Sequence, residues 1–425
     1  MQYLQYDRDD LVLENVPVRQ LAEEYGTPLY VYSESQIRDN YRRMDEAFAG
    51  VPHRLCYAVK ANSNPEILRL LAEMGAGADA VSIGEMHLSL QAGVAPENIV
   101  FAGVGKRDDE IEFAIQQNIR GLNVESEMEL QVVADIAARL QRRARVSLRI
   151  NPDIDIHGHP YISTGRHQDK FGIAMDVARR LITEYRDHPH VQLVGLHAHL
   201  GSQIAQILPY RKLGEVMYEL ASFTAQQGHR LEYIDVGGGL GVRYEPQGDE
   251  RHFRHDWQGV NELAIEPKAV ADALLASLRQ LELPILFEPG RALVANAGLL
   301  LTRVLYLKET GGKRFVIVDA GMTELLRPSL YSAYHAIVPL QWREGEAIQA
   351  DVVGPICESG DFLARDRRLP PLQRGDLLAV LTAGAYGFSL SSNYNARPRP
   401  AEVLVKDDQH RLIRARGRLE ALWAG

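Results

Sequence analysis

Residues 54–103 read RLCYAVKANSNPEILRLLAEMGAGADAVSIGEMHLSLQAGVAPENIVFAG, and this stretch decides the fold. Short β-branched or apolar runs, Arg54–Lys60, Gly77–Ser82 and Asn98–Gly103, alternate with segments whose apolar residues recur at helical spacing. The alternation continues outward through Arg120–Ser126, Val146–Asn151, Val194–Leu200, Glu232–Gly238 and Ile285–Gly290, eight strand-like runs in all. Between them lie helical segments such as NPEILRLLAEMG, DDEIEFAIQQN, EMELQVVADIAARLQ and PKAVADALLASLRQL. Gly75, Gly93 and Gly228 close three of the helical segments, as helix-ending glycines do. Strands alternating with helices pair in parallel through right-handed crossovers. Eight such units over roughly 240 residues is the size of a (β/α)8 TIM barrel. An open doubly wound sheet is the alternative, but nothing in it stops the count at eight.

Beyond residue 297 the pattern changes. LLLTRVLYLKE, KRFVIVDAG, AIVPLQW, IQADVVGP, LLAVLTAG and AEVLVKDDQHRLIRARG read as strands joined by turns, with KDDQHR at a hairpin tip. This is a second, all-β domain. LVLE and PLYVYS near the N-terminus are strand-like as well. The expected division is therefore 1–32 joining the β domain, 33–296 forming the barrel, and 297–425 forming the β domain. The polar stretch Arg243–Lys268 reads as an insertion between the seventh strand and its helix.

The 425 residues are 46% hydrophobic and 24% charged, a balance that excludes disordered, collagen-like and membrane classes. No run approaches the ~18 apolar residues of a spanning helix. A net charge of −9 argues against nucleic acid or an anionic membrane as partner, yet leaves room for a small anion in a locally positive pocket. The opening MQYLQYDRDD lacks the basic-then-apolar pattern of an export signal, so a cytoplasmic location is expected. Two cysteines, Cys56 and Cys357, cannot build a disulfide framework; each reads as a buried or a functional thiol.

Barrels carry their chemistry at the C-terminal ends of the strands. Here those ends hold Lys60, Asp79, Ser82, Arg149, Asn151, His199, Gly237 to Gly239, and Glu288 to Arg291. Lys60 either reaches for solvent or is held in the barrel mouth, where desolvation makes an amine nucleophilic toward an aldehyde. Gly237-Gly238-Gly239 and the Gly290 loop follow strands seven and eight, where barrels often bind phosphate; a glycine run taken alone is more often a turn. His197 and His199 share a strand face and could bind metal, fill ordinary core or rim positions, or lay one imidazole on a cofactor ring. No further histidine or carboxylate cluster at the strand ends supports the metal. Glu288 reads either as a salt-bridge partner of a nearby arginine such as Arg291 or as the partner of a ring nitrogen. Cys357, Glu358, Arg327, Tyr331 and Tyr386 say little one at a time.

Together these residues resemble a known family. YAVKAN with Lys60, GADAVSIGE with Asp79, Ser82 and Glu85, HAHLGSQ with His199 and Ser202, then IDVGGGLG, EPGR, CESGD and GAYG follow the order of the barrel-type pyridoxal-phosphate decarboxylases over nearly the whole chain. HPYISTGRHQDKFGI, LRPSLY and SSNYNARPRPAEVLV favour the diaminopimelate branch over the ornithine or arginine enzymes, and Arg327 with Glu358 in their expected contexts argue against a carboxynorspermidine enzyme. HAHLGS and MTELLRPSLY depart from the family's pattern only slightly in side-chain type.

The resemblance implies decarboxylation of meso-2,6-diaminopimelate to L-lysine and CO2 with pyridoxal 5'-phosphate, the last step of bacterial lysine biosynthesis. It implies that Lys60 carries the cofactor covalently, with Asp79 beside it, and that His199 lies on the ring. Gly237, Gly238, Gly239, Gly290 and Ser202 would hold the phosphate, and Glu288 the ring nitrogen. Arg291, which also belongs to the cofactor loop, would join Arg327 and Tyr331 on the distal carboxylate. Glu358 would meet the distal amine, Tyr386 would sit by cofactor and substrate, and Cys357 would return the proton after CO2 leaves. No metal is implied. Cys357 and Glu358 would act in the partner's site of a homodimer. A racemase of similar fold would put an arginine, not Glu288, at the ring nitrogen.

Overall fold

The computed structural model describes residues 3–155, 170–246 and 262–423. The glycine- and histidine-containing loop 157–170, apart from Lys170, and residues 247–261 of the insertion lie outside the described residues. The chain forms two compact units, one of Tyr41–Gly241 with Ala264–Gly290, the other of Met1–Asn40, Val242–Leu263 and Arg291–Gly425.

In the first unit eight strands close into a parallel barrel: His53–Ala58, Gly77–Ala80, Ile99–Phe101, Gly121–Val124, Ala144–Ile150, Val191–Ala198, Tyr233–Gly238 and Ile285–Glu288. Closure comes from the eighth strand lying against the first, with Ile285 opposite His53 and Phe287 opposite Leu55. All eight expected strands are present. Seven of them end one or two residues earlier than the apolar pattern suggests. The reason is local: the residues just past the ladder turn into loops or cap helices. Lys60, for instance, sits in a 3-10 turn, Val59–Ala61, rather than in the strand. Ser82 accepts a hydrogen bond from the Glu85 N–H (3.2 Å), while Glu85 accepts one from the Val81 N–H (2.8 Å). Ser126 and Glu129 repeat this reciprocal cap at the helix Glu127–Arg139. Gly75, Gly93 and Gly228 all take positive φ after their helices.

The barrel interior is fitted around Tyr233, which packs with Cys56, Val100, Val194 and Leu286. Gly195 makes that possible, since a Cβ there would stand 2.5 Å from the Tyr233 ring. Close-packed interiors leave no slack for such an atom.

In the second unit a sheet runs in the order Phe362–Leu369, Ile348–Val353, Lys313–Val318, Gly298–Thr310, Leu29–Ser33, Ala401–Lys406, Gln409–Arg414. Leu29–Ser33 is fully buried between an antiparallel neighbour and a parallel one. The expected hairpin is Ala401–Lys406 paired with Gln409–Arg414. A core of Leu4, Leu11, Leu299, Val338, Ala379 and Val403, among others, lies beneath.

Candidate active site

Past the first barrel strand, the Lys60 ammonium meets Asp79 of the second strand at 2.7 Å. Asp79 is almost wholly buried. Burial and the Glu288 carboxylate push its pKa up, and the Lys60 charge pulls it back. Gly290, after the eighth strand, packs on Ala58 and Ala61, where a Cβ would be 3.0 Å from Ala58 Cβ. The eighth-strand loop thus lies directly against the lysine turn.

Glu288 is 4% exposed and His197 1%. Glu288 Oε2 lies 3.3 Å from His197 Nε2, so the partner of this carboxylate is an imidazole of the sixth strand. Burial works to raise the Glu288 carboxyl, but His197 and Lys60 outweigh it and hold it well below the usual carboxylate range. Asp235, on the strand between them, behaves oppositely: burial and the Glu288 charge push it well above that range. The two neighbouring carboxyls are therefore pushed in opposite directions, as happens when like charges share a dry site. One donor atom from each of His197, Asp235 and Glu288 lies within 4.8 Å of the others. Sequence spacing did not reveal this carboxylate cluster beside the histidines, because its three members come from three strands. Asp235 leaves a faint trace all the same, as a carboxylate inside the apolar run YIDVGG.

His199 lies just past the sixth strand, and its Nδ1 accepts a hydrogen bond from the Gly238 N–H (3.1 Å). Burial and the Lys60 charge keep its pKa well below the ordinary histidine value, so the ring is neutral. Gly239 has φ +90°, a left-handed conformation that favours glycine. Gly238 is confined differently: a Cβ there would run into the Glu288 carbonyl oxygen. Ser202 lies in the loop after the sixth strand, half-buried.

The second unit gathers another group. Arg291 and Arg327 are both buried, and both lie against Tyr244. Arg291 Nη1 donates to the Tyr244 hydroxyl at 2.5 Å, and the Arg327 guanidinium stands 4.3 Å from the Tyr244 ring centre. Arg291 also lies 4.9 Å from the Tyr386 ring centre. Arg327 Nη1 donates to His335 Nε2 (2.7 Å), because His335 Nδ1 is committed to the Leu381 carbonyl (2.8 Å). Burial and Arg327 hold His335 well below the usual range. Burial works to raise the Tyr244 hydroxyl, yet the two guanidiniums outweigh it and lower its pKa. Tyr244 and His335 had no signal in the sequence; Tyr244 belongs to the polar insertion.

The short helix Arg327–Tyr331 carries Tyr331, half-buried, and is tied to the loop 354–361 by Ser329 Oγ donating to the Gly360 carbonyl (2.5 Å). Cys357 and Glu358 are exposed on that loop. Asp361 braces it, accepting from the Met322 and Ile356 N–H groups at 2.6 Å each. Gly321 and Gly354 leave room for its carboxylate; a Cβ on either would stand 2.5 Å from it. Cys56 is buried inside the barrel.

The barrel thus presents an amine beside a carboxylate, a neutral imidazole, a glycine cradle and an ionised glutamate. Residues 34–295 match the family described as pyridoxal-dependent decarboxylase, pyridoxal binding domain. The chain belongs to the pyridoxal-dependent decarboxylases. Within this family it is 46% identical over 414 residues to the diaminopimelate decarboxylase of Aquifex aeolicus, covering 97% of this chain and 95% of that one. It is equally 46% identical over 426 residues to that of Vibrio cholerae, covering 100% and 98%. The crystal structure of Helicobacter pylori diaminopimelate decarboxylase complexed with L-lysine superposes with a TM-score of 0.88 at 43% identity, covering 96% of this chain and 98% of that one. The family's cofactor fits the barrel group on the chain's own evidence. Glu288 Oε1 is buried with no hydrogen-bond partner among the described residues, which suits a protonated ring nitrogen, and a Cβ would fill the Gly238 cradle.

Proposed function

We propose that this chain decarboxylates meso-2,6-diaminopimelate to L-lysine and CO2 with pyridoxal phosphate, closing lysine biosynthesis. The observation that carries the substrate choice is the pair of buried guanidiniums, Arg291 and Arg327, packed on one tyrosine. Two buried like charges repel, and an arriving carboxylate relieves that repulsion with bidentate hydrogen bonds. A substrate with a distal ammonium alone, such as ornithine, would worsen it. The identity to named diaminopimelate decarboxylases over nearly the full length supports the same reading.

Lys60 would hold the cofactor covalently, His199 would lie against its ring, and Gly237, Gly238, Gly239, Gly290 and Ser202 would hold its phosphate, with Arg291 in the same loop. When bound, the group supplies an electron sink for the carbon that loses CO2. Asp79 keeps Lys60 oriented through their 2.7 Å contact. Glu288, held well below the usual carboxylate range, would favour a proton on the cofactor's ring nitrogen. Neutral His199 offers an uncharged face, its plane fixed by the Gly238 N–H. Arg291, Arg327 and Tyr331 take the distal carboxylate, Glu358 takes the distal amine, and Tyr386 lines the same substrate. Cys357 delivers a proton to the carbon that CO2 has left.

Cys357 and Glu358 are exposed on a braced loop, which supports their acting in the partner subunit's site of a homodimer. No described helix is long and apolar enough to cross a membrane, and a cytoplasmic place fits a small-molecule biosynthetic enzyme. Incubation with cofactor and meso-diaminopimelate, watching for CO2 and lysine, tests the assignment. Faster turnover of carboxynorspermidine, arginine or ornithine would overturn it.

A further inference from the structure

The polar insertion after the seventh barrel strand carries one residue whose surroundings demand an account. Val242 and Leu263 form an antiparallel bridge, and the Arg243 N–H donates to the Glu262 carbonyl (2.8 Å), so the ends of the insertion are fastened together. Tyr244 follows immediately and is buried, 8% exposed. Its hydroxyl receives Arg291 Nη1 at 2.5 Å, and its ring face receives Arg327 at 4.3 Å. His335 meets the same ring edge-on, with centres 5.1 Å apart and planes at 75°, and its Nε2 accepts from Arg327.

A phenol suits this place for a physical reason. A carboxylate would pair with the guanidiniums and cancel the positive field that draws an anionic ligand. A phenylalanine would keep the cation–π contact to Arg327 but give Arg291 no acceptor. Tyrosine does both while leaving the cationic charge in place for the ligand. We infer that Tyr244 is a positioning residue for the arginine pair, its hydroxyl fixing Arg291 and its ring supporting Arg327 so that both guanidiniums meet one carboxylate. This rests on the assignment of those arginines to the substrate's distal carboxylate.

The test uses the holoenzyme and the variants Tyr244→Phe and Tyr244→Leu. Loss of the hydroxyl raises KM for meso-diaminopimelate about tenfold, and loss of hydroxyl and ring about a hundredfold, with kcat within about threefold of the unaltered enzyme. The cofactor absorbance spectrum stays the same. Calorimetry on the same proteins separates binding from turnover. L-Lysine, which keeps the distal carboxylate, binds about tenfold more weakly to Tyr244→Phe, whereas 1,5-diaminopentane, which has no carboxylate, binds as before. A residue that merely stabilised the fold would weaken both ligands alike. KM within twofold in both variants, or equal weakening of the two ligands, overturns the inference. No turnover of meso-diaminopimelate by the unaltered enzyme overturns the substrate assignment instead, and the two-ligand contrast still judges Tyr244.

Discussion

His197 Nε2 stands 3.3 Å from Glu288 Oε2, joining the sixth and eighth barrel strands inside a dry site where burial and the Glu288 charge push the Asp235 carboxyl up. Oε1 of the same carboxylate is buried and has no hydrogen-bond partner among the described residues. Under the proposed function, Glu288 gives one oxygen to His197 and keeps the other for the cofactor's ring nitrogen.

That division predicts different costs for its two halves. Glu288→Gln removes the negative charge and lowers kcat by about a hundredfold or more, in the range of other buried electrostatic groups. His197→Leu leaves the carboxylate in place but loosens it, and lowers kcat by about tenfold. Steady-state kinetics with the cofactor spectrum recorded alongside decides; an unchanged kcat in Glu288→Gln would show that the charge is not used.

Lys60→Ala removes the amine beside Asp79. The unaltered protein, reduced with borohydride in the presence of cofactor, gains a stable adduct on the peptide containing residue 60. The variant gains none, as mass spectrometry of the digest reads. An adduct on the variant would assign the nucleophile elsewhere.

The barrel was legible in the chain because its signal is local: each strand and helix announces its own period, as in YAVKAN followed by NPEILRLLAEMG. Lys60, Glu288 and the Gly237–Gly239 loop were visible as candidates because barrel topology assigns chemistry to strand ends. Tyr244 was not. It reaches Arg291, 47 residues away, across an insertion whose own sequence carries no period. His335 lies only 8 residues from Arg327, yet the pair obeys no helix or strand spacing that a reader could use. Asp235 was hidden differently, since its meaning comes from strands on either side. What stayed dark in the sequence is long-range contact between single polar side chains, which leaves no repeat.

Gly238→Ala tests the cradle. Its Cβ would meet the backbone carbonyl of Glu288, which cannot rotate away as a side chain could. The expected loss is about 3 kcal/mol or more of stability, read as a lower urea midpoint for the cofactor-free protein. A midpoint within error of the unaltered protein would mean that the two loops are not pressed together.

Glu85 supplies a pH dependence. Burial, opposed by its hydrogen bond from the Val81 N–H, lifts its pKa to about 7 from an ordinary 4.5. The folded state therefore holds a proton that the unfolded chain releases first. Stability falls as pH rises from the ordinary value to about 7, and the full penalty persists above that. Glu85→Gln keeps the acceptor and cannot ionise. Its advantage over the unaltered protein should be near zero at the acid end and grow to about 1–2 kcal/mol above neutrality, discounted for partial exposure. Denaturation of both cofactor-free proteins across this range measures the difference directly; a difference independent of pH would remove Glu85 as the source.

The shared-site reading of Cys357 makes a sharper demand than any single variant. If Lys60 serves its own subunit and Cys357 the partner's, then Lys60→Ala and Cys357→Ala homodimers are each impaired at both sites. A mixed dimer places both lesions at one site and leaves the other intact. Random reassortment of equal amounts makes half the dimers mixed, so activity should return to about a quarter of the unaltered level. Activity rising to that level after mixing, with the dimer verified by light scattering, supports the exchange. If mixing restores nothing although subunits demonstrably exchange, then Cys357 works within its own chain, and its exposure needs another explanation.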